Sequence, residues 1–459
     1  MYMSIEKLSY RTTIKKLTGD TITPIDIFNR LKGKRKFLLE SSAKLEESGR
    51  YSFIGANPLK SYSGSGQTLI EQQYTTGKRY EYTGDLLTQL KRLMPRITEQ
   101  SAFPFTGGAV GYIGYGAAKI DSLLLDELEL PDVNFQIYET IIIFDHIEDE
   151  ITIMHTAVNA ELERPDLEAI AATITAENEM MAEDFHFSDF QSNVTKAQFE
   201  NQVEKALQQI HAGEIEQVVL SRKLVTGFTG NPFLIYRRLR EQNPSPYMYY
   251  MEFDHHIVIG ASPESVVSVT EGIVKANLIA GTIHRGQTIE EDEILEATLI
   301  KDPKEIAEHN MLLEEARQEL NRVSVPATVK VKKYLQVAHF EHVMHLMSNI
   351  EGELLPVLHA LDVLATTFPT GTVTGKPKQK AMSIIDELET THRSTYGGAI
   401  GYIGFNGNID FAITIRSMLL INDKAYIQAR AGIVKDSIPS KEYAETEAKA
   451  KSLLSFQGK

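Results

Sequence analysis

Cysteine is absent from all 459 residues of the chain. Without it there are no disulfide bonds, no thiolate metal sites and no cysteine nucleophile. Long apolar runs are missing as well: the longest, IIIFDHI and YMYYMEF, are far too short to span a bilayer. The N-terminal segment MYMSIEKLSYRTT carries no apolar signal-peptide core. The expected location is therefore cytoplasmic, with no membrane as partner.

Runs of Lys and Arg are also missing, and the formal net charge is −15 at pH 7. The phosphates of a nucleic acid would meet a repulsive field, so nucleic acid is not an expected partner. With 42% hydrophobic and 24% charged residues and no low-complexity tract, the composition is that of a folded globular protein. The length suffices for one large core or two to three ordinary domains.

The segment FPTGTVTGKPKQKAM at 368–382 looks at first like a phosphate-binding loop. A Walker-type loop needs four residues between its glycines and a Ser or Thr after the lysine. Here only three residues separate Gly371 from Gly375, and Pro377 follows Lys376. Proline has neither an N–H for a phosphate nor a hydroxyl for Mg²⁺. The segment therefore predicts a loop that holds something other than a nucleotide.

Composition also divides the chain into parts. Residues 176–194 are acidic, irregular and poor in periodic hydrophobic residues, which predicts a linker between an N-terminal region, 1–175, and a C-terminal region, 195–459. A helix is predicted directly after the linker, where Thr195 and Gln198 form a capping box. Short β-runs alternate irregularly with a few longer helices, which is typical of an α+β fold with mainly antiparallel sheets.

One short segment of the N-terminal region is repeated, with small changes, in the C-terminal region. GGAVGYIGY at 107–115 returns as GGAIGYIGF at 397–405. Both copies have the pattern of strands whose glycines allow close backbone approach. The similarity arises either by chance or because two sheets carry equivalent strands in one compact body.

An acidic helix is predicted for KDPKEIAEHNMLLEEARQEL. Asp302 is its expected N-cap, Pro303 takes the first helical position and Glu305 completes a capping box. Glu305, Glu308 and Glu315 share one face, and such a face is usually solvated surface. A chemical role for it needs support from elsewhere in the sequence.

A second acidic helix, KEYAETEAKAKSLL, carries Glu445 and Lys449 at i,i+4 spacing, which alone is an ordinary surface ion pair. Mg²⁺ is usually held by one or two carboxylates while the anion of the substrate completes its shell. Glutamates of the two helices are therefore a candidate Mg²⁺ site. Zinc is not expected, because His339, His342 and His345 fit no single face of a helix or strand and no HExxH pattern is present.

Ten segments spread over nearly the whole chain form a recognisable set. They are LLESS (38–42), GRYSFIG (49–55), NPSPYMYY (243–250), IGASPES (259–265), IAGTIHRG (279–286), KEIAEHNML (304–312), HVMHL (342–346), PTGTVTGKPKQKAM (369–382), TYGGAIGYIGFNGNID (395–410) and AGIVKDSIPSKEYAETEAKA (431–450). Together they resemble the chorismate-utilising enzymes and occur in that family's order. The resemblance implies an α+β fold of two large, mainly antiparallel sheets with flanking helices, and an active site in the C-terminal region.

The resemblance also implies roles for single residues. Glu308 and Glu445 would hold Mg²⁺ against the ring carboxylate of chorismate, and Glu264 would be the general acid that helps the ring hydroxyl leave. This acid must be protonated at neutral pH, which an apolar or anionic setting favours. His345 matches a histidine linked to the elimination of pyruvate. The implied substrate contacts are Tyr396 and Arg416 on the enolpyruvyl carboxylate, with Gly281, Thr282, Thr372, Lys378, Gly432 and Lys449 also lining the pocket.

Two positions indicate the nucleophile. Family members that use water carry a lysine base in the strand that here reads QVVLSR, and Gln217 cannot take a proton at neutral pH. Members that make aminodeoxychorismate usually have lysine where this chain has Ala280. Both positions favour ammonia, arriving near Gln217, and anthranilate as the product after loss of pyruvate. The alternatives are aminodeoxychorismate formation and a catalytically silent chorismate-binding subunit.

Three features depart from the family pattern. Arg430 stands where glycine is usual beside the substrate carboxylate, and it either adds charge for that group or crowds it. Lys376 replaces a common small residue. The segment LLEEARQEL replaces a more typical LVDLARNDL.

The resemblance finally implies a regulatory pocket for L-tryptophan, away from the chorismate site, and inhibition through differential affinity for two states. The residues concerned are Leu39, Glu40, Ser41, Tyr51, Pro246, Tyr247 and Met248, with Ser41 and Glu40 expected at the amino-acid head group. It also implies that ammonia comes from a glutaminase with a cysteine thiolate. Because this chain has no cysteine, a separate glutaminase subunit is the expected partner.

Overall fold

The computed structural model describes residues 11–41, 49–97, 101–118, 124, 126–158, 164–176, 184–339 and 343–454. Its strands are β1 (Arg11–Thr18), β2 (Phe37–Glu40), β3 (Tyr51–Gly55), β4 (Lys60–Ser65), β5 (Thr68–Gln73), β6 (Arg79–Thr83), β7 (Gly108–Ile113), β8 (Val133–Tyr138), β9 (Thr140–Asp145), β10 (Glu150–Ala157), β11 (Phe185–Phe187), β12 (Gln191–Ser192), β13 (Gln217–Gly230), β14 (Tyr247–Glu252), β15 (His256–Ser262), β16 (Ser265–Thr270), β17 (Ile273–His284), β18 (Lys330–His339), β19 (Val343–Glu353), β20 (Gly375–Lys376), β21 (Ala399–Gly404), β22 (Ile409–Ile413), β23 (Ser417–Ile421) and β24 (Lys424–Ile433).

The helices are α1 (Pro24–Arg30), α2 (Leu86–Leu93), α3 (Leu167–Thr175), α4 (Lys196–His211), α5 (Pro232–Gln242), α6 (Ile289–Leu299), α7 (Pro303–Val323), α8 (Ala360–Thr367), α9 (Lys378–Leu388) and α10 (Pro439–Ser452). Short 3₁₀ turns lie at Tyr115–Ala118 and Gly371–Val373. Among the described residues, no helix combines the length and apolar character needed to cross a membrane.

The strands form two large sheets, and neighbours pair antiparallel, as β13 does with β24 and β17 with β19. The first sheet runs β1-β10-β9-β3-β2-β14-β15-β23-β24-β13-β11, with β12 and β20 also on β13. The second runs β18-β19-β17-β16-β22-β21-β7-β8-β4-β5-β6. The predicted α+β fold of two antiparallel sheets with flanking helices is confirmed.

Each sheet takes strands from both regions of the chain, because β2 pairs with β14 and β7 pairs with β21. The boundary between 1–175 and 195–459 is therefore not a boundary between sheets. The predicted linker is not wholly irregular, because Phe185–Phe187 and Gln191–Ser192 pair with β13. Apolar packing explains the difference, since Phe187 is buried in the first sheet's outer core. Residues 177–183 lie outside the described part.

The two glycine-rich copies are direct neighbours in one sheet, with Gly111 opposite Gly401. Of the two alternatives left open, the one that places these strands in two sheets is wrong. A Cβ on Gly111 would lie 1.9 Å from the carbonyl oxygen of Asn134, and one on Gly401 would lie 1.9 Å from that of Asp410. Only glycine permits this close approach of backbones.

The central core lies between the sheets and joins Phe53 and Val258 of the first to Tyr112 and Ile400 of the second. Helices cover the outer faces: α1, α3 and α5 lie on the first sheet, and α2, α7 and α8 on the second. Burying each such large side chain contributes about 1.5–3 kcal/mol. The chain thus forms a sandwich of two sheets between helices.

Both predicted helix starts are found. Gln198 N–H donates to Thr195 Oγ1 and the Gln198 side chain accepts from Thr195 N–H, so this capping box is confirmed. Asp302 caps α7 by accepting from the N–H of Glu305 at 3.2 Å, with Pro303 in the first turn. The box predicted there is not completed, and the Glu305 carboxylate lies beside Gly281 and Thr282 of β17 instead.

Candidate active site

Glu264 and Arg416 lie on two connections where the chain passes from one sheet to the other. The first joins β15 to β16, and the second joins β22 to β23. The connections are bonded together: Ile413 N–H donates to the Glu264 carbonyl at 2.9 Å, and Ala261 N–H donates to the Arg416 carbonyl at 3.1 Å. Arg416 has φ +48°, a strained value that often marks functional positions. The fold therefore brings the predicted acid and the predicted carboxylate ligand together at the junction of the sheets.

The Glu264 carboxyl is enclosed by polar and cationic groups. Arg430 Nη2 lies 3.5 Å from its Oε2, and the Thr372 hydroxyl is within hydrogen-bonding reach. Burial raises the pKa of Glu264, and the opposing effects of Arg430, Thr372 and Arg416 do not cancel this rise. The raised pKa favours the protonated carboxyl that a general acid needs.

Three cations surround this carboxyl. Burial and the neighbouring Arg430 lower the pKa of both Arg416 and Lys449. Lys449 Nζ donates to the Arg430 carbonyl at 3.2 Å and pairs with Glu445. Among the described residues, none accepts a hydrogen bond from the Arg416 guanidinium. This concentration of positive charge suits an anionic ligand, and a guanidinium suits a carboxylate in particular.

A buried arginine that the sequence reasoning missed fixes the 369–376 loop. Arg393 donates to the carbonyls of Val373 at 2.7 Å and Val219 at 2.8 Å, and it pairs with Glu389 at 2.6 Å. The loop is thereby tied to β13 through charge-assisted hydrogen bonds. The only sequence signal was the i,i+4 spacing of Glu389 and Arg393, which alone indicates an ordinary helix pair.

Two predicted residues of this loop have different surroundings. Thr372 lies at the site, because its carbonyl accepts from Arg430 and its hydroxyl, 3.1 Å from Thr370 Oγ1, is close to the Glu264 carboxyl. Lys378 Nζ instead donates to Glu319 of α7 at 2.7 Å. The predicted role of Lys378 as a substrate ligand has no support from this geometry, because its ammonium is already paired.

His345 lies on β19 beside a bulge in β17. The register shifts between Ala280 and Thr282, where Gly281 has φ +77°. His345 Nδ1 is 3.0 Å from the Gly281 carbonyl oxygen and 2.9 Å from Thr282 Oγ1. A carbonyl only accepts, so this contact puts the proton on Nδ1 and makes Nε2 the basic nitrogen of the neutral ring. Burial lowers the pKa of His345, which favours that neutral form.

Gln217 and Gly432 meet at the start of β13. A Cβ on Gly432 would lie 3.2 Å from Gln217 Nε2, so glycine leaves room for the amide. Tyr396 is buried close to Arg430 and Arg393, and burial raises the pKa of its hydroxyl to about 12. All three predicted residues therefore border the same β13–β24 side of the site, where β24 carries Arg430.

The predicted metal ligands stand in two acidic pairs. Burial and the neighbouring Glu308 raise the pKa of Glu305 on α7. Burial and Glu445 raise the pKa of Glu442 on α10. In the described ranges no group of three or more Asp, Glu, His or Cys side chains is arranged around one point. Mg²⁺ needs only one or two protein carboxylates, and these hard oxygen donors, crowded by like charge, fit such an ion.

A cavity of about 850 Å³ lies between the two sheets. It extends to Pro263, the neighbour of Glu264, and to Asp410. The structure brings together every residue predicted for the tryptophan pocket, since all of them border this cavity: Leu39, Glu40, Ser41, Tyr51, Pro246, Tyr247 and Met248.

Two of these residues turn their side chains elsewhere. The Glu40 carboxylate accepts from Tyr236 at 2.5 Å and from Arg240 at 3.0 Å, both on α5. Met248 is buried in the outer core of the first sheet, on that same side. The expectation that the Glu40 carboxylate meets an amino-acid head group is therefore not supported. Tyr247 provides an aromatic side chain at the border of the cavity.

Comparisons with known proteins agree with this architecture. Residues 34–455 match the model of the chorismate binding enzyme family. The anthranilate synthase component 1 of Lactococcus lactis is 41% identical over 456 residues, which cover 96% of this chain and 98% of the relative. That of Acetivibrio thermocellus is 41% identical over 462 residues, covering 95% and 93%.

Solved structures give the same result. The crystal structure of anthranilate synthase component I from Streptococcus pneumoniae has a TM-score of 0.80 and 39% identity, covering 95% of this chain and 98% of that one. The menaquinone-specific isochorismate synthase of Escherichia coli shares the fold, with a TM-score of 0.75 at 19% identity. The chain belongs to the chorismate binding enzyme family.

Proposed function

We propose that the chain is component I of an anthranilate synthase, which converts chorismate and ammonia into anthranilate, pyruvate and water in tryptophan biosynthesis. One observation carries the proposal: Glu264 lies at the sheet junction, next to Thr372 and enclosed by Arg416, Arg430 and Lys449. The full-length similarity to proteins of that name supports it.

Electrostatic attraction explains how the substrate would bind. Chorismate is a dianion, and the cations around Glu264 complement its carboxylates. Arg416, whose guanidinium has no acceptor among the described residues, is assigned to the enolpyruvyl carboxylate, beside the Tyr396 hydroxyl. Glu308 and Glu445 would hold Mg²⁺, which supplies a charge that neutralises the ring carboxylate.

Proton transfers are assigned to two groups. The protonated Glu264 carboxyl donates to the ring hydroxyl, which leaves as water while ammonia adds to the ring. The ammonium group that forms then releases one proton, which balances the proton given by Glu264 and leaves a neutral amine. In the second step the ring loses a proton, aromatises and releases the enolpyruvyl group, whose methylene carbon gains a proton to give pyruvate. Nε2 of His345 is the basic atom near this step, because Nδ1 is held by the Gly281 carbonyl.

Ammonia rather than water is favoured by Gln217. Its neutral amide cannot remove a proton from water, whereas ammonia needs no general base to become a nucleophile. With no cysteine in the chain, glutamine cleavage is assigned to a separate subunit that carries a thiolate.

L-tryptophan is the proposed inhibitor, and the cavity between the sheets is its proposed site. Leu39, Tyr51 and Tyr247 border a space large enough for an indole, and Ser41 borders it as well. Binding there inhibits only if the effector has different affinities for two states of the enzyme.

One assay tests the activity. The purified chain with chorismate, ammonium and Mg²⁺ should produce the fluorescence of free anthranilate, and glutamine should not replace ammonium unless a glutaminase subunit is added. Consumption of chorismate without fluorescence would indicate aminodeoxychorismate instead. No consumption under any of these conditions would contradict the proposed activity.

A further inference from the structure

Arg430 occupies the candidate active site in a way that the reaction above does not use. It stands on β24 opposite Ser221 of β13, and its side chain is 18% exposed. Nη1 donates to the carbonyl of Thr372, and Nη2 lies 3.5 Å from Oε2 of Glu264. The guanidinium therefore lies directly against the proposed acid.

The contact between Arg430 and Glu264 is a weak one. A guanidinium carries five N–H donors in a planar fork that can grip a carboxylate with two parallel hydrogen bonds. A single oxygen at 3.5 Å is at the limit of a hydrogen bond, so Glu264 does not meet the fork in this geometry. The other contacts of the guanidinium are to the Thr372 carbonyl and the Tyr396 hydroxyl, which are not carboxylates. A carboxylate that met the fork in bidentate geometry would be a better partner than Glu264.

The surroundings of Arg430 also favour an incoming anion. Arg416 and Lys449 are close enough for Arg430 to lower the pKa of each. In the described part of the chain, Glu264 is the carboxylate paired with Arg430. A substrate carboxylate would reduce the electrostatic repulsion among the three cations. Glu264 reduces this repulsion only in part, because a single contact at 3.5 Å joins it to Arg430.

We propose that Arg430 is a second guanidinium ligand for a carboxylate of the substrate, held by Glu264 and Thr372 in the free enzyme and transferred from Glu264 to the substrate on binding. This inference rests on the proposed function. The sequence left open whether Arg430 adds positive charge for the substrate carboxylate or crowds it, and the inference favours added charge.

Release of Glu264 has a chemical consequence. The groups that face its carboxyl are Arg430 of β24, Arg416 before β23, Lys449 of α10 and Thr372 of the loop. When Arg430 and Arg416 turn to the substrate, their opposing effect is lost, burial dominates and the pKa of the carboxyl rises further. Substrate binding thus prepares the acid that the reaction uses.

The test compares Arg430→Gln and Arg430→Gly with the wild-type chain, and uses Arg79→Gln as a control for loss of one positive charge. Arg79 is exposed on β6, the edge strand at the far end of the second sheet from β17 and β19. With saturating ammonium and Mg²⁺, both Arg430 variants should raise the KM for chorismate about 10- to 100-fold, as expected for lost hydrogen bonds to a charged group. The kcat should stay within about threefold, because Glu264 remains protonated in the complex, whereas the control should match wild type.

Calorimetry gives a second measurement, the number of protons taken up when chorismate binds. A purely structural role of Arg430 would not change this number. Chorismate binding with Mg²⁺ but without ammonium, measured in buffers of different ionisation enthalpy, should show proton uptake near neutral pH in wild type and less in Arg430→Gln. A lower KM in both variants would show that Arg430 crowds the substrate, and an unchanged KM would show that it does not bind the substrate. Either result would overturn the inference. If wild type itself makes no anthranilate, the proposed function fails. If it is active while the variants bind chorismate as it does, only the role of Arg430 fails.

Discussion

The carboxyl of Asp410 gives a quantitative prediction about stability. Asp410 borders the cavity between the sheets, and burial raises its pKa from 3.8 to about 7. The Tyr247 hydroxyl donates to Oδ1 at 3.0 Å, which lowers the pKa but does not offset burial. We predict that Asp410→Asn makes the stability of the protein less dependent on pH, because the amide keeps an acceptor for Tyr247 and has no proton to lose.

The sign and size follow from proton linkage. The folded state holds the Asp410 proton more tightly than the unfolded state, so its stabilising effect is complete below pH 3.8 and is lost as pH rises to about 7. The whole shift is worth about 4 kcal/mol, at about 1.4 kcal/mol for each pKa unit. About 3 kcal/mol of this should disappear between about pH 5 and about pH 8.

The measurement is the free energy of unfolding of wild type, Asp410→Asn and Asp423→Asn by urea denaturation across that range. Asp423 is exposed in the turn between β23 and β24 and controls for a simple change of charge. Asp410→Asn should gain about 3 kcal/mol relative to wild type from about pH 5 to about pH 8, and the control should follow wild type. If the free energy of unfolding changed with pH in the same way for all three proteins, Asp410 would be ionised throughout this range and the reasoning would be refuted.

Three further predictions concern the proposed sites. Glu308→Gln or Glu445→Gln should lower turnover at least about tenfold and raise the Mg²⁺ requirement, because each removes a charge that balances the ion; normal Mg²⁺ titrations in both variants would rule these ligands out. Ser41→Arg should relieve inhibition by L-tryptophan without loss of anthranilate formation, and an unchanged inhibition curve would exclude Ser41 from the pocket. Gly432→Val should raise the KM for ammonium, because a Cβ there lies 3.2 Å from Gln217 Nε2; an unaltered KM would separate Gln217 from the path of ammonia.

Local signals in the sequence predicted local structure well. The capping box at Thr195 and the N-cap at Asp302 depend on residues within one turn of each other, and both are found. The partners of a strand are not encoded locally, since register is set by packing across the whole sheet. For this reason the sequence did not show that Gly111 would stand opposite Gly401, or that Phe187 would join β13.

Predictions for the site had a similar limit. Motif order identified the residues around Glu264 and around the cavity, but it did not show where each side chain points. Successive residues of a strand face opposite sides, so Leu39 and Glu40 cannot both present side chains to one cavity. Glu40 bonds α5 instead. Arg393 was missed because its hydrogen bonds to Val373 and Val219 join segments far apart in sequence.

The position of the cavity suggests how the proposed inhibitor would reach the acid. Tyr247 pairs with Ser262 across β14 and β15, and Pro263, which borders the cavity, directly precedes Glu264. Glu264 is therefore carried by a connection whose other end forms part of the proposed tryptophan site. A ligand that fixed Tyr247 and Pro263 in one arrangement would act on the backbone that orients the proposed acid. A displacement of that short connection would change the contacts of Glu264 with Arg430. Inhibition requires only that the ligand bind one arrangement of this connection more tightly than another. No long chain of intervening residues is needed between the two sites.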